Sequence, residues 1–291
     1  MENLRGIALM VAAMAGFAVE DMFVKRVSES LPVGQILVIL GAGGAVAFAL
    51  MAWARGQRLA SRALLTRPVL LRNLGEVTGT LGYVMAIALT PLSSAAAILQ
   101  ATPLAVTLGA ALFMGAQVGW RRWSAIGVGL FGVLLIIRPG LEGFQPASLF
   151  ALLGVAGLAL RDLATRATPR SVGSLQLSAY GFATLVPLGA LMLLLGPAPA
   201  PIDGPTAARL GGALVMGVAG YYAIVEAMRL GEVAVVTPFR YSRLIFALVI
   251  GILAFGEQPD ALTLTGAAII IASGLYTLAR ERALSMRRAR R

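Results

Sequence analysis

Residues 16–35 read Gly-Phe-Ala-Val-Glu-Asp-Met-Phe-Val-Lys-Arg-Val-Ser-Glu-Ser-Leu-Pro-Val-Gly-Gln, and residues 157–176 read Gly-Leu-Ala-Leu-Arg-Asp-Leu-Ala-Thr-Arg-Ala-Thr-Pro-Arg-Ser-Val-Gly-Ser-Leu-Gln. A shift of 141 positions (157 − 16) lays Gly16 on Gly157, Asp21 on Asp162, Lys25 on Arg166, Ser30 on Ser171 and Gln35 on Gln176. The same shift pairs Gly79 with Gly220, Ala86 with Ala227, Gly115 with Gly256 and Gln117 with Gln258. Glycine and alanine matches between two apolar halves carry little weight alone. The polar matches at one fixed offset mark a duplication.

Each half is built of apolar stretches. Hydrophobic residues fill 58% of the 291 positions and charged ones 13%, too few charges to coat a water-soluble core. Stretches of about 20 apolar residues, each enough for roughly 30 Å of hydrocarbon, recur along the chain. Hydropathy and breaks at Pro, Gly and Arg predict spans near 5–27, 33–54, 69–89, 92–115, 121–138, 147–166, 172–195, 207–229, 233–255 and 261–280. The first is read as a retained helix rather than a cleaved signal. Five spans per half is an odd number, so the second half enters the membrane from the side opposite to the first. The expected fold is therefore all-α and integral to the membrane: ten transmembrane helices in two inverted five-helix repeats, 1–141 and 142–291, around a central cavity.

Basic residues orient this bundle. Arg55, Arg58, Arg62 and Arg67 share one connector, Arg121 and Arg122 another, Arg166 and Arg170 a third, and the tail from Arg280 to Arg291 is rich in arginine. The opposite side has Lys25, Arg26, Arg138 and Arg209, mixed with Glu29, Glu142, Asp203, Glu257 and Asp260. By the positive-inside rule both termini are cytoplasmic in a bacterial inner membrane. The net charge of +11 is thus a topology signal, with the tail against anionic lipid, and not a nucleic-acid surface.

With no Cys and no His, the usual disulfide, haem, zinc and imidazole chemistries have no raw material. No cofactor and no metal site is expected. The partners expected are a small-molecule substrate and membrane lipids, with the ten-helix unit a monomer or a homodimer.

Ionisable groups at bilayer depth must pair or face a cavity. Arg72, Glu76, Gly79 and Tyr83 lie on one stripe of the third span. Glu76 and Tyr83 are candidates to meet substrate and Gly79 to admit a close neighbour; alternatively Arg72 and Glu76 neutralise each other. Arg240 and Arg243 share a face of the ninth span, with Arg243 the deeper and suited to hold a carboxylate or phosphate. Gln100 and Thr102 in the fourth span and Tyr222 in the eighth are further cavity candidates. Pro103 and Pro238 interrupt their spans, each freeing a backbone carbonyl for a ligand or merely kinking a helix. The repeated pairs Asp21–Lys25 and Asp162–Arg166, with Glu20 and Arg161 beside them, are candidate gates or coupling groups at opposite mouths. The alternative is a local i, i+4 ion pair ending each helix.

Residues 88–103, Ala-Leu-Thr-Pro-Leu-Ser-Ser-Ala-Ala-Ala-Ile-Leu-Gln-Ala-Thr-Pro, and 227–238, Ala-Met-Arg-Leu-Gly-Glu-Val-Ala-Val-Val-Thr-Pro, resemble the drug/metabolite transporter superfamily, specifically its EamA-type members. Gly256-Glu257 resembles that family's helix end, and Gly115-Ala116 departs from it. The resemblance implies a secondary transporter working by alternating access, not an enzyme: an exporter of amino acids or related compounds, or an importer or exchanger of a larger vitamin, amine or nucleotide-like metabolite. An intramembrane enzyme acting on a lipid-linked substrate is the reading from another class. It needs paired acidic motifs that Glu20-Asp21 alone does not supply.

Overall fold

The computed structural model describes residues 2–57, 59–60, 62–115, 119–141, 143–169, 171–230 and 233–289. Arg58, Ala116, Gln117, Glu142, Arg170, Gly231, Glu232 and Arg291, invoked above, lie outside them. Among the described residues all regular structure is helical. The helices are α1 (Glu2–Ser28), α2 (Val33–Ala54), α3 (Arg67–Leu89), α4 (Leu92–Leu99), α5 (Thr102–Phe113), α6 (Trp120–Ile137), α7 (Leu149–Arg166), α8 (Ser174–Leu195), α9 (Gly204–Leu230), α10 (Val233–Val236), α11 (Ser242–Phe255) and α12 (Ala261–Ala289).

These make ten crossings, because α4 with α5, and α10 with α11, each complete one. Nine of the crossings are apolar and long enough on composition alone. The tenth is α3, whose 23 residues span about 34 Å at 1.5 Å per residue. It carries Arg72, Asn73 and Glu76, and it is the helix enclosed by α1, α4, α7 and α8. Its charges are paired within the protein, Arg72 with Glu76 and Glu76 with Arg161, as the bilayer requires.

Sequence sets the ends. The carboxylates of Asp203 and Asp260 accept from the Thr206 and Thr263 amides at 2.9 and 2.8 Å, capping α9 and α12. The Thr206 bonds hold the Asp203 carboxyl below the usual carboxylate range, and the Arg138 guanidinium, followed by the Thr263 amide, does the same for Asp260. Arg138, closing α6, is ion-paired to Asp260. The fourth crossing breaks because Pro103 has no N–H for the Leu99 carbonyl. The Thr102 hydroxyl donates to that carbonyl instead, at 2.6 Å. Thus the carbonyl expected to be free for a ligand is already satisfied. The ninth crossing breaks at a 3₁₀ turn, Thr237–Tyr241, that contains Pro238.

Packing reveals the symmetry. The principal antiparallel pairs are α1 with α9, α3 with α7, α2 with α8, and α6 with α12. Shifting by 141 residues turns the first pair into the second and returns each of the others to itself. The glycines prove the most informative matches. A Cβ on Gly16 would lie 3.6 Å from the Gly220 Cα, and one on Gly157 would lie 2.5 Å from the Gly79 Cα. Those two crossings are images of one another, made by the four glycines that the repeat aligns. A Cβ on Gly41 would lie 2.9 Å from the carbonyl oxygen of Phe182, its own counterpart (41 + 141). Gln100 Nε2 donates to the carbonyl of its counterpart, Tyr241, at 3.2 Å. A residue that meets its own image lies on a two-fold axis. The axis therefore runs across the bundle through the α2–α8 crossing and the break between α4 and α5, the geometry of inverted repeats.

Ten alternating crossings put both chain ends on one face, termed the terminal face. The ends of α1, α3 and α11 lie on the opposite face. The α3–α7 crossing has no room for side chains, so Gly157→Val, which drives atoms into the Gly79 backbone, is expected to lower the melting temperature by several degrees. Gly127→Val, where a Cβ meets nothing within 4 Å, is expected to leave it unchanged.

Candidate functional site

Two clusters of charge occupy the interior, one on each side of the axis. The first joins α1, α3 and α11. Arg243, in the first turn of α11, grips Asp21 through Nη2 at 2.9 and 2.8 Å and through Nε at 3.2 Å. The Tyr83 hydroxyl donates to Asp21 Oδ2 at 2.8 Å. The guanidinium also lies 5.3 Å from the Phe17 ring centre and 5.1 Å from that of Tyr83, within cation–π range. Asp21 is 4% exposed and Tyr83 7%, so both are buried, while Arg243 and Phe17 are half-buried. Asp21 therefore does not form the helix-ending pair with Lys25 that the spacing suggested. Its partner comes from 222 residues away.

The second cluster joins α3 and α7. Glu76 lies 3.3 Å from Arg72 and 3.4 Å from Arg161, and Arg161 holds Asp162 at 2.9 Å. Glu76 is thus neutralised both within its helix and across to α7. Asp162 pairs with its neighbour Arg161 and not with Arg166, which is exposed. Arg240 stands within electrostatic reach of Asp162. The two arginines of the ninth crossing thus face different repeats, Arg243 toward Asp21 and Arg240 toward Asp162.

The remaining expected residues divide. Gln100 marks the centre, bound to the carbonyls of Arg240 and Tyr241. The Thr102 hydroxyl is committed to the backbone, and Gly79 is filled by α7, not by a ligand: a Cβ there would lie 2.8 Å from the Leu158 amide nitrogen. Tyr222 is 41% exposed, takes a hydrogen bond from Arg55 at 3.2 Å and belongs to neither cluster. Tyr222→Ala is expected to change transport less than twofold, measured as the initial rate in vesicles.

A third group closes the opposite face, and its key residue was overlooked as a site. Gly256, with φ 63°, ends α11 in a left-handed turn. The Gly256 and Glu257 amides bond back to Ile252 and Gly251 at 3.1 and 3.0 Å, and this turn aims Glu257 at the next helix. Its carboxylate accepts from the backbone amides of Leu92 and Ser93, at the positive N-terminal end of α4. Lys25 donates to the Ile87 and Thr90 carbonyls at 3.0 and 2.6 Å, at the negative end of α3, and lies 3.9 Å from Glu257. Arg26 bonds the Ala254 carbonyl and lies over the Phe255 ring. The end of α1 is thereby latched to α3, α4 and α11. The signal in the sequence was Gly256-Glu257, read there only as a helix end.

Among the described residues the terminal face shows no such closure. The counterpart of Lys25 is the exposed Arg166, and that of Glu257 is Ala116 (257 − 141), which has no carboxylate. While α1 packs on α3 and α4, α7 makes no comparable contact with α9 or α10 among the described residues. The two-fold symmetry is broken at the mouths.

Two inverted bundles, charged residues paired at their interface and one latched face define a polytopic membrane carrier. The chain belongs to the EamA-like transporter family, whose profile matches it twice, over residues 4–138 and 145–279. It is 28% identical over 232 residues to a riboflavin transporter of Rhizobium johnstonii, covering 78% of this chain and 72% of that protein. Identity is 24% over 219 residues to an S-adenosylmethionine uptake transporter of Rickettsia bellii, covering 73% and 72%. It is 28% over 283 residues to the pseudopaline exporter of Pseudomonas aeruginosa, covering 91% and 93%. A solved crystal structure shares the fold with a TM-score of 0.58 at 19% identity, over 92% of this chain and 98% of that one. The protein is a multi-pass membrane transporter of small metabolites.

Proposed function

We propose that the protein carries a metabolite larger than a single amino acid across the bacterial inner membrane by alternating access. Repeats 1–141 and 142–291 rock about the axis through Gln100 and Tyr241. The observation that carries this reading is the asymmetry of the mouths: the end of α1 is engaged with α3, α4 and α11, while the equivalent end of α7 has no comparable engagement among the described residues. Two bundles that can exchange those roles present one interior to each side in turn. Both termini are cytoplasmic in this reading, so the latched face is periplasmic. The Asp21–Arg243–Tyr83 cluster and the Arg161–Asp162–Arg240 group lie on the path as its two polar stations, and Lys25 with Glu257 is the periplasmic gate. Riboflavin and S-adenosylmethionine, named for two relatives, set the expected size.

Export of amino acids or related compounds is the second reading, favoured by the match to the pseudopaline exporter over nearly the whole chain. Counterflow in proteoliposomes loaded with riboflavin, S-adenosylmethionine or a set of amino acids separates the two. Exchange of riboflavin or S-adenosylmethionine above empty vesicles is expected. Exchange of amino acids alone selects the second reading, and exchange of none of them contradicts both.

A further inference from the structure

The two glycine crossings that are images of one another differ at one position. On the α3–α7 crossing, Arg161 meets Glu76 at 3.4 Å. The image of Arg161 is Glu20 (161 − 141), and the image of Glu76 is Gly217 (76 + 141). Glu20 does face Gly217: a Cβ there would lie 2.6 Å from Glu20 Oε1. Where one crossing has a salt bridge, the other has a carboxylate against a glycine.

Glu20 has no hydrogen bond or ion pair among the described residues. The groups near it are Asp21 on its own helix, Arg243 on α11, Tyr83 on α3, and Gly217 on α9, which offers no titratable side chain. Arg243 gives its Nε and Nη2 donors to Asp21, and that pair is neutral as it stands. An ionised Glu20 therefore stands half-buried between two transmembrane helices with no hydrogen-bond or ion-pair partner of its own, a disfavoured state.

We infer that Glu20 is the proton-binding site that couples transport to the proton gradient. The step is balanced: an O–H bond forms on the Glu20 carboxylate when a proton enters from water at one face, and the same bond breaks when that proton leaves at the other. Asp21 keeps its ion pair with Arg243. Five residues along α1, Lys25 forms the latch, so the helix that carries the proton is the helix that opens the opposite face. Protonation removes this unpaired charge from the α1–α9 crossing while α1 moves. This inference rests on the transport reading above.

The test is accumulation in proteoliposomes of whichever panel compound shows counterflow, under an imposed pH gradient. The wild-type protein is expected to accumulate it about tenfold per pH unit if one proton moves per substrate. Glu20→Gln is expected to retain counterflow and lose gradient-driven accumulation, and Glu20→Asp to retain both. Wild-type accumulation indifferent to the gradient, or Glu20→Gln responding as steeply as wild type, overturns the inference and leaves the transport reading standing. Absence of counterflow for every compound counts against the transport reading instead. In that case the carboxylic-acid infrared band of the lipid-reconstituted protein decides the matter. A pH-dependent band that vanishes in Glu20→Gln is expected, and identical titrations of the two proteins overturn the inference.

Discussion

Arg243→Gln is expected to reduce transport at least a hundredfold and to destabilise the protein by about 3–5 kcal/mol, because it strands the buried Asp21 carboxylate without its cation. Asp21 is 4% exposed and its remaining neighbour, the Tyr83 hydroxyl, is a single neutral donor. Asp21→Asn strands the guanidinium instead, and the faces of Phe17 and Tyr83 offset only part of that. Combining the two replaces an ion pair by neutral amides. The double variant is therefore expected to regain most of the stability lost by either single one, though not the transport rate. A double-mutant cycle by thermal unfolding in lipid checks this. Additive losses would mean that the two groups do not act as a pair.

The latch predicts a shift between states. Glu257→Gln removes the charge that caps α4 and answers Lys25, so the closed form of the opposite face loses one buried ion contact and the charge in two charge-assisted hydrogen bonds. At about 1.5–3 kcal/mol for a hydrogen bond to a charged group, the equilibrium moves more than tenfold toward opening there. Ala116→Glu is expected to do the reverse. It restores at the aligned sequence position (257 − 141) the carboxylate that the first repeat lacks, and so favours closure of the terminal face. Single cysteines read this directly, since the chain has none of its own. Glu257→Gln is expected to raise thiol labelling at positions near Thr90 from the opposite face. Equal labelling in wild type, Glu257→Gln and Ala116→Glu would show that this carboxylate does not set the resting state.

Much of the fold was legible because lipid imposes a one-dimensional code. Spans 33–54 and 261–280 begin where α2 and α12 begin, and the odd number of spans per half forced inversion. Resolving the breaks within the fourth and ninth crossings needed three dimensions, since Pro103 and Pro238 give the place but not what satisfies the freed carbonyl. The glycine matches were discounted in the sequence because such pairs are common in apolar chains. In the structure Gly16, Gly79, Gly157 and Gly220 are the contact points of the two symmetry-related crossings. The sites were less legible. Asp21 at i and Lys25 at i+4 carry the pattern of a local pair, yet burial gave each a stronger tertiary partner, Arg243 and the α3–α4 corner. No spacing within one helix announces a partner 222 residues distant. In the second repeat the i, i+4 pair is also not formed, but there the partner of Asp162 is its own neighbour Arg161, while Arg166 remains exposed.

The central claim is that the two mouths are images that open in alternation. Spin-label distances across each mouth test it directly, with Ser30→Cys paired with Leu89→Cys on the opposite face, and their counterparts Ser171→Cys and Leu230→Cys paired on the terminal face. On adding a counterflow substrate, or on introducing Glu257→Gln, the first distance is expected to lengthen as the second shortens. Both distances changing in the same sense, or neither changing, would contradict the account.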